Sequence, residues 1–262
     1  MLKQRLRRRA YQALDLATAR RGIPRRVNGE TLRLPPEVSR YYPPVYEAET
    51  HAFITRHTAP GTVAIDAGAH IGLFTVTMAR AVGPQGRVVS FEPTETNARV
   101  LERTVALNGL DGVAQCRREA LAAGRGFAEF FVDEHESSNA NSLVRHAGTV
   151  GAVRVPTVSV DDVAAEHPGR ISCMKIDVEG TELDVLRGAE RTLARDAPAL
   201  ALDVHPAQLG AAGGSVAELW DLLAGHGYEL RLGDAAVDRA DAVARTEIFE
   251  LHAVAPARRG AG

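Results

Sequence analysis

The sequence predicts an α/β fold: a mainly parallel sheet of seven strands with helices on both faces, preceded by a helical and extended N-terminal segment. Three observations predict it. From Thr62 onward, short apolar runs alternate with helical patterns, as parallel strands joined by crossover helices require. The first of these runs, Thr62–Asp66, carries an uninterrupted Val-Ala-Ile, the mark of a strand buried on both faces. Several runs end in glycine, acid or histidine, at the strand ends where such sheets bind ligands.

The chain has 262 residues, 45% apolar and 24% charged, with a formal net charge of −2. That length suits one large domain, or one domain with a small appendage. The charge balance gives no reason to expect a nucleic acid partner. Residues 1–26 hold nine basic side chains and one acid, Asp15, with Leu2, Leu6, Leu14 and Leu16 interleaved. This arm reads as a solvated helix leading into the domain. Contact with an anionic surface, or pairing of two chains into a homodimer, are its other readings. No apolar run follows the basic start, and no stretch reaches the roughly 20 apolar residues of a membrane span. Cys116 and Cys173 fall in or beside interior strands and read as small core residues. A cytoplasmic protein is expected, with residues 1–60 as arm and active-site cover and 61–256 as the domain.

The elements follow in order. Val27–Leu34 is β-like. The Pro35-Pro36 and Pro43-Pro44 pairs forbid helix in the tyrosine-rich stretch to Glu49, where Tyr41, Tyr42, Tyr46 and Glu49 are candidates to close over a pocket. After the first strand come a helix over Ile71–Val82, a strand over Arg87–Phe91, a helix over Glu95–Asn108 and a strand over Val113–Cys116. Gly126–Val132 and Val153–Val158 are β-like and flank a polar loop, Asp133–His146. A short helix, Val160–Glu166, leads to a strand over Ile171–Asp177 and a helix over Glu182–Ala194. Ala199–His205 is a strand and Ser215–His226 a helix. Tyr228–Leu232 and Glu247–Val254 close the chain as strands near enough in sequence to pair antiparallel at one edge.

Four strand ends carry candidate chemistry. In Asp66-Ala67-Gly68-Ala69-His70-Ile71-Gly72, Gly68 permits a tight turn and close approach of a ligand, and Asp66 suits an amino or cationic group. The spacing is not the G-x-G-x-x-G that cradles a pyrophosphate. Glu92, about 20 residues on, stands where an acid hydrogen-bonds both ribose hydroxyls of an adenosine. Lys175, Asp177 and Glu179 share one side of their strand by alternation. A helix cap from Asp177 or Thr181, with Glu182 in the first turn, is the plain reading of that acid-rich junction. Asp203 and His205 share a face at the end of the next strand. The loop Glu136–Leu143 is either a ligand-contacting lid or an ordinary surface loop.

Taken together, IDAGAHIGLFT (Ile65–Thr75), FEPTETNARVLERTVALNGL (Phe91–Leu110), SNANSLV (Ser138–Val144), VPTVSVDD (Val155–Asp162) and KIDVEGTELDVLRGA (Lys175–Ala189) resemble the FkbM-type methyltransferases; PALALDVHP (Pro198–Pro206) extends the match. The resemblance implies a Rossmann-like class I methyltransferase fold, S-adenosylmethionine as cofactor, and a small-molecule acceptor from natural product biosynthesis, usually a hydroxyl on a sugar or other secondary metabolite. Carried onto this chain, Asp66, Gly68 and the adjacent backbone of Ala69 and His70 hold the methionine part, Glu92 holds the ribose, and Glu119 with Ala120 lies near the adenine. Asn97 is a neighbour of the donor, and Asp177 faces the donor's amino acid end or the acceptor. His70 stands where such families often have asparagine, and Asp203 where glutamate is common.

Methylation of an alcohol calls for alignment with the donor methyl and for a base. His205, oriented by Glu179 or Asp203, is the first candidate and Glu179 the second. A divalent metal on Asp177, Glu179 and His205 is a third arrangement these ligand types allow, though no metal is predicted. Two other functions remain open at this stage: a nicotinamide-dependent oxidoreductase, and a non-catalytic binding protein on the same scaffold.

Overall fold

The computed structural model describes residues 10–11, 13–133, 144 and 149–255; the Glu136–Leu143 loop lies outside them. Seven strands build the main sheet: β1 (Val63–Ala67), β2 (Arg87–Phe91), β3 (Ala114–Arg117), β4 (Ile171–Ile176), β5 (Ala199–Val204), β6 (Glu229–Leu232) and β7 (Phe249–Val254). Their order is β6-β7-β5-β4-β1-β2-β3, and a two-residue strand, Ala235–Ala236, extends the β6 edge to make eight. Neighbours from β5 through β3 pair in parallel. Strand β7 runs antiparallel to both β5 and β6, between which it is inserted. The chain therefore has the mainly parallel α/β architecture that its alternating pattern predicts, in keeping with the class I methyltransferase fold that the family resemblance implies.

Two apolar layers lie on opposite faces of this sheet, and the pleat sorts residues between them. Val63, Ile65 and Ala67 enter one layer while Ala64 enters the other; Val89 and Phe91 part from Val88 in the same way. All five residues of β1 and all six of β4 are buried, which explains why these runs lack polar alternation. Helix Leu73–Val82 is buried over most of its surface, against β1 and β2.

The N-terminal segment shares this core. A hairpin, Ile23–Val27 with Glu30–Leu34, turns at Asn28-Gly29, whose φ values of 49° and 84° match the turn that Asn-Gly favours. Val27, Leu32 and Leu34 from the hairpin, and Phe53 and Ile54 from helix Ala48–His57, pack with Ala64, Val88 and Ala201 of the sheet. The proline-rich stretch between them forms only a single 3-10 turn, Pro36–Val38. A separate three-stranded sheet, Ala120–Leu121, Thr149–Val158 and Gly126–Asp133, stands beside β3.

One expected element divides. The helix predicted over Glu182–Ala194 is two helices, Glu182–Arg187 and Glu190–Asp196. Gly188 at the break lies so close to the Ala122 carbonyl that a Cβ there would sit 2.2 Å from its oxygen. Cys173 is buried, Cys116 is half-buried and neither is disulfide-bonded; burial pushes both thiols up to about 12. No helix among the described residues is long and apolar enough to cross a membrane.

Candidate functional site

A cleft opens outside the carboxyl ends of β1, β2 and β4. The nine residues expected at the donor site all line it: Asp66 near the end of β1, Gly68, Ala69 and His70 after it, Glu92 and Asn97 after β2, Glu119 and Ala120 after β3, and Asp177 after β4. Glu179 lines it too; His205 does not.

The glycine turn is held from two sides. Gly68 has φ 79°, and a Cβ there would lie 1.8 Å from the Asp177 carbonyl oxygen, so the turn after β1 and the end of β4 meet as only glycine allows. The Gly68 and Ala69 N–H groups both donate to the Phe91 carbonyl, at 3.0 and 2.9 Å. Asp66 is 1% exposed. The Thr75 hydroxyl donates to its Oδ2 at 2.5 Å, while Oδ1 has no hydrogen-bond partner among the described residues. Burial raises the Asp66 pKa, with Thr75 and Lys175 opposing.

Glu92 is the second node. The Thr94 N–H and hydroxyl donate to its Oε1 at 3.0 and 2.6 Å, and the His70 N–H donates to Oε2 at 3.1 Å. His70 reaches that carboxylate through a left-handed backbone, φ 49°, that links the first two motifs of the sequence. Burial pushes Glu92 up to about 7 against these donors. Asn97 is buried beside it, its Oδ1 without a partner among the described residues. Glu119 is half-buried and accepts from the Arg117 Nε at 2.5 Å.

The third node is Lys175, 2% exposed. Its ammonium donates to Asp177 Oδ2 at 3.0 Å and to Asp203 Oδ2 at 2.9 Å, lies 4.0 Å from Glu47 Oε2, and sits 5.0 Å from the Phe74 ring centroid. Burial works against its charge, but these carboxylates hold its pKa well above the usual lysine value. Burial is the largest influence on Asp177 and raises it, but the Lys175 ammonium, His205 and the hydrogen bonds together bring that carboxyl below its ordinary range, whereas burial dominates at Asp203 and raises it.

His205, 3% exposed, lies beneath the cleft floor. Its Nδ1 is 2.8 Å from Glu182 Oε1, its Nε2 3.3 Å from Glu179 Oε2 and 4.0 Å from Asp177 Oδ1. Burial alone would lower its pKa; the Glu182 hydrogen bond and the surrounding carboxylates raise it to about 9. A raised pKa favours the imidazolium, the form with hydrogen on both ring nitrogens. Glu179 has the opposite balance: burial raises it to about 7, with His205 opposing.

Candidate metal-ligand atoms of Asp177, Glu179 and His205 lie within 4.8 Å of one another. With both imidazole nitrogens turned to carboxylates, the trio is arranged as an ion-pair network. A second group, Glu47, Asp203 and Glu250, is similarly close; Glu47 and Asp203 face the Lys175 ammonium, and Glu250 accepts from the Thr50 hydroxyl at 2.6 Å.

Two participants, Glu47 and Glu182, were not singled out by sequence. Glu47 stands in a left-handed conformation, φ 42°, ahead of its helix, which no local pattern announces. Glu182 reads as an ordinary first-turn acid, yet it is fully buried and the Thr181 side chain makes no cap bond. Lys175 was grouped with its strand, not with Glu47. Of the four residues expected to close over the pocket, Tyr42 and Tyr46 line the cleft, and Tyr41 meets the His70 ring edge-on at 5.0 Å. Glu49 points elsewhere, toward Gly233.

Comparison with known proteins follows the same residues. The model of the FkbM methyltransferase domain matches residues 66–230. The methyltransferase sdnD of Sordaria araneosa is 34% identical over 155 residues, covering 48% of this chain and 60% of its own length. The AMB antimetabolite synthetase AmbE of Pseudomonas aeruginosa is 28% identical over 233 residues, covering 75% of this chain and 11% of its own. The chain thus spans three-fifths of one curated relative and about a tenth of the other. A solved structure described as an rRNA methylase, from Clostridium thermocellum, superposes with a TM-score of 0.50 at 9% identity, over 79% of this chain and 93% of that one, and shows likeness of fold.

Proposed function

The chain belongs to the FkbM methyltransferase family, and from that premise we propose that it transfers the methyl group of S-adenosylmethionine to a hydroxyl of a sugar or other secondary metabolite. The observation that carries this reading is that residues lining one cleft hold buried acceptors with no hydrogen-bond partner among the described residues, Asp66 Oδ1 and Asn97 Oδ1 among them. Buried oxygens without donors are costly, so a ligand that brings N–H and O–H groups fits them. S-adenosylmethionine brings an ammonium and two ribose hydroxyls as donors for such oxygens. Asp66 and the backbone at Gly68, Ala69 and His70 hold the methionine end, Glu92 and Asn97 the ribose, and Glu119 with Ala120 the adenine. The half-buried Asp177 faces the amino acid end or the acceptor.

When bound, S-adenosylmethionine supplies a methyl carbon already activated by a sulfonium, which leaves as a neutral thioether. The chain must place the acceptor oxygen in line and receive its proton. Glu179 is suited to the second task. It lines the cleft, and a base with pKa near 7 is half-ionised at working pH, where general-base assistance is worth about 10²–10⁴-fold. His205 supports Glu179 as a counter-charge instead of accepting the proton itself. The secondary-metabolite reading draws on the relatives, one of which is named an antimetabolite synthetase. Methyl-labelled donor incubated with a panel of hydroxylated sugars and other metabolite alcohols tests it. Label on a hydroxyl oxygen is expected; label on nitrogen or carbon alone would overturn the hydroxyl assignment.

A further inference from the structure

We propose that Glu182 is a positioning residue of the transfer site, which holds His205 as an oriented cation and, through it, the Glu179 carboxylate. The proposal rests on the reading of Glu179 as proton acceptor. Glu182 opens helix Glu182–Arg187, where an acid that merely complements the helix dipole would stand in solvent. Its carboxylate is instead 0% exposed. Oε1 accepts from the Gly180 N–H at 2.8 Å and faces His205 Nδ1 at 2.8 Å, while Oε2 is buried without a hydrogen-bond partner among the described residues. A buried charge is tolerated where a nearby opposite charge answers it.

The geometry sets the state of the ring. Nδ1 faces Glu182; Nε2 faces Glu179 at 3.3 Å and Asp177 at 4.0 Å. A carboxylate at Glu182 accepts from Nδ1–H, so the second ring hydrogen, on Nε2, is the one that makes the ring a cation facing Glu179 and Asp177. Glu182 also pins the backbone that carries Glu179. That residue has φ 54°, and Gly180 beside it has φ 110°, with Gln208 Cβ 2.4 Å from where a Cβ would stand. One carboxylate thus fixes the strained turn and the cation beside it. The charged groups that face His205 are Glu182 from its helix and Glu179 and Asp177 from the turn; Lys175, on β4, is bonded to Asp177.

Nitrogen-15 correlation spectra of the whole chain test this, with donor binding measured calorimetrically on the same samples. In the wild type, His205 is expected to keep both ring protons through neutral pH and to titrate near 9. In Glu182→Gln it is expected to titrate at least one pH unit lower, with donor affinity within twofold. With an acceptor from the label-transfer panel, kcat is expected to fall at least tenfold, the alkaline limb of its pH profile moving down with the histidine. Glu182→Asp, which keeps the charge, is expected to restore part of both. A wild-type His205 that is neutral at pH 7 would overturn the proposal even if no variant folds. So would a Glu182→Gln protein in which kcat falls while the histidine titration stays in place. Failure of the wild type to bind donor would count against the methyltransferase reading and leave the Glu182–His205 pairing to be judged by the spectra.

Discussion

Glu179 combines a left-handed backbone, a place in the cleft lining and a pKa near 7, and each of these bears on proton transfer. Strain of this kind is stored where function fixes the geometry. Glu179→Gln removes the acceptor but keeps the shape, so kcat is expected to fall about 10²–10⁴-fold while donor affinity stays within about twofold. Because the carboxylate must be ionised to act, the wild-type rate should climb as pH rises through about 7, and steady-state profiles would show that limb lost in the variant. Glu92 is predicted to act in binding instead. Hydrogen bonds to a charged group are worth about 1.5–3 kcal/mol, so Glu92→Gln should weaken the donor about 10–100-fold by calorimetry.

Among the elements, the two glycine-dependent approaches are the most sensitive to change. Gly68→Ala places a methyl 1.8 Å from the Asp177 carbonyl at a φ of 79°, so β1 and β4 must part at the cleft floor. The variant is expected to melt several degrees lower and to lose donor binding together, read by calorimetry of both kinds. Most of the strands could be read from the sequence because they are buried on both faces and leave unbroken apolar runs, as Val63–Ile65 does. The break at Gly188 could not, since its cause is a carbonyl from a strand connection some 65 residues earlier in the chain. The site divides in the same way. Asp66, Glu92 and Asp177 stand at or just past the carboxyl ends of strands and were legible from position alone. Glu47 and Glu182 act through contacts that only the fold creates, and the charge on His205 depends on three carboxylates brought around it.

For the molecule as a whole, the cleft groups make stability depend on pH. Burial lifts Glu92 and Glu179 to about 7, and the carboxylates around His205 lift it to about 9 despite its burial. Each of these groups holds its proton more tightly folded than unfolded. Their stabilising contribution is therefore present at low pH, relative to ordinary values near 4.3 for Glu and 6.5 for His, and is lost as pH rises through about 7 and then about 9. The urea midpoint of the donor-free protein is expected to fall steadily between pH 5.5 and 9.5, and a flat profile would contradict these burial effects. The N-terminal segment belongs to the same cooperative unit, because Val27, Leu32, Leu34, Phe53 and Ile54 complete one apolar layer of the sheet. A chain beginning at residue 61 exposes that layer and is expected to be insoluble or to lack a cooperative melt.

The central claim is that the cleft holds S-adenosylmethionine through Glu92 and its neighbours. Isothermal titration of the donor into the wild-type chain and into Glu92→Ala tests it most directly. Micromolar binding by the wild type, lost or weakened at least tenfold in a folded Glu92→Ala protein, is the predicted result. A folded wild type that does not bind the donor, or a variant that binds it equally well, would contradict it.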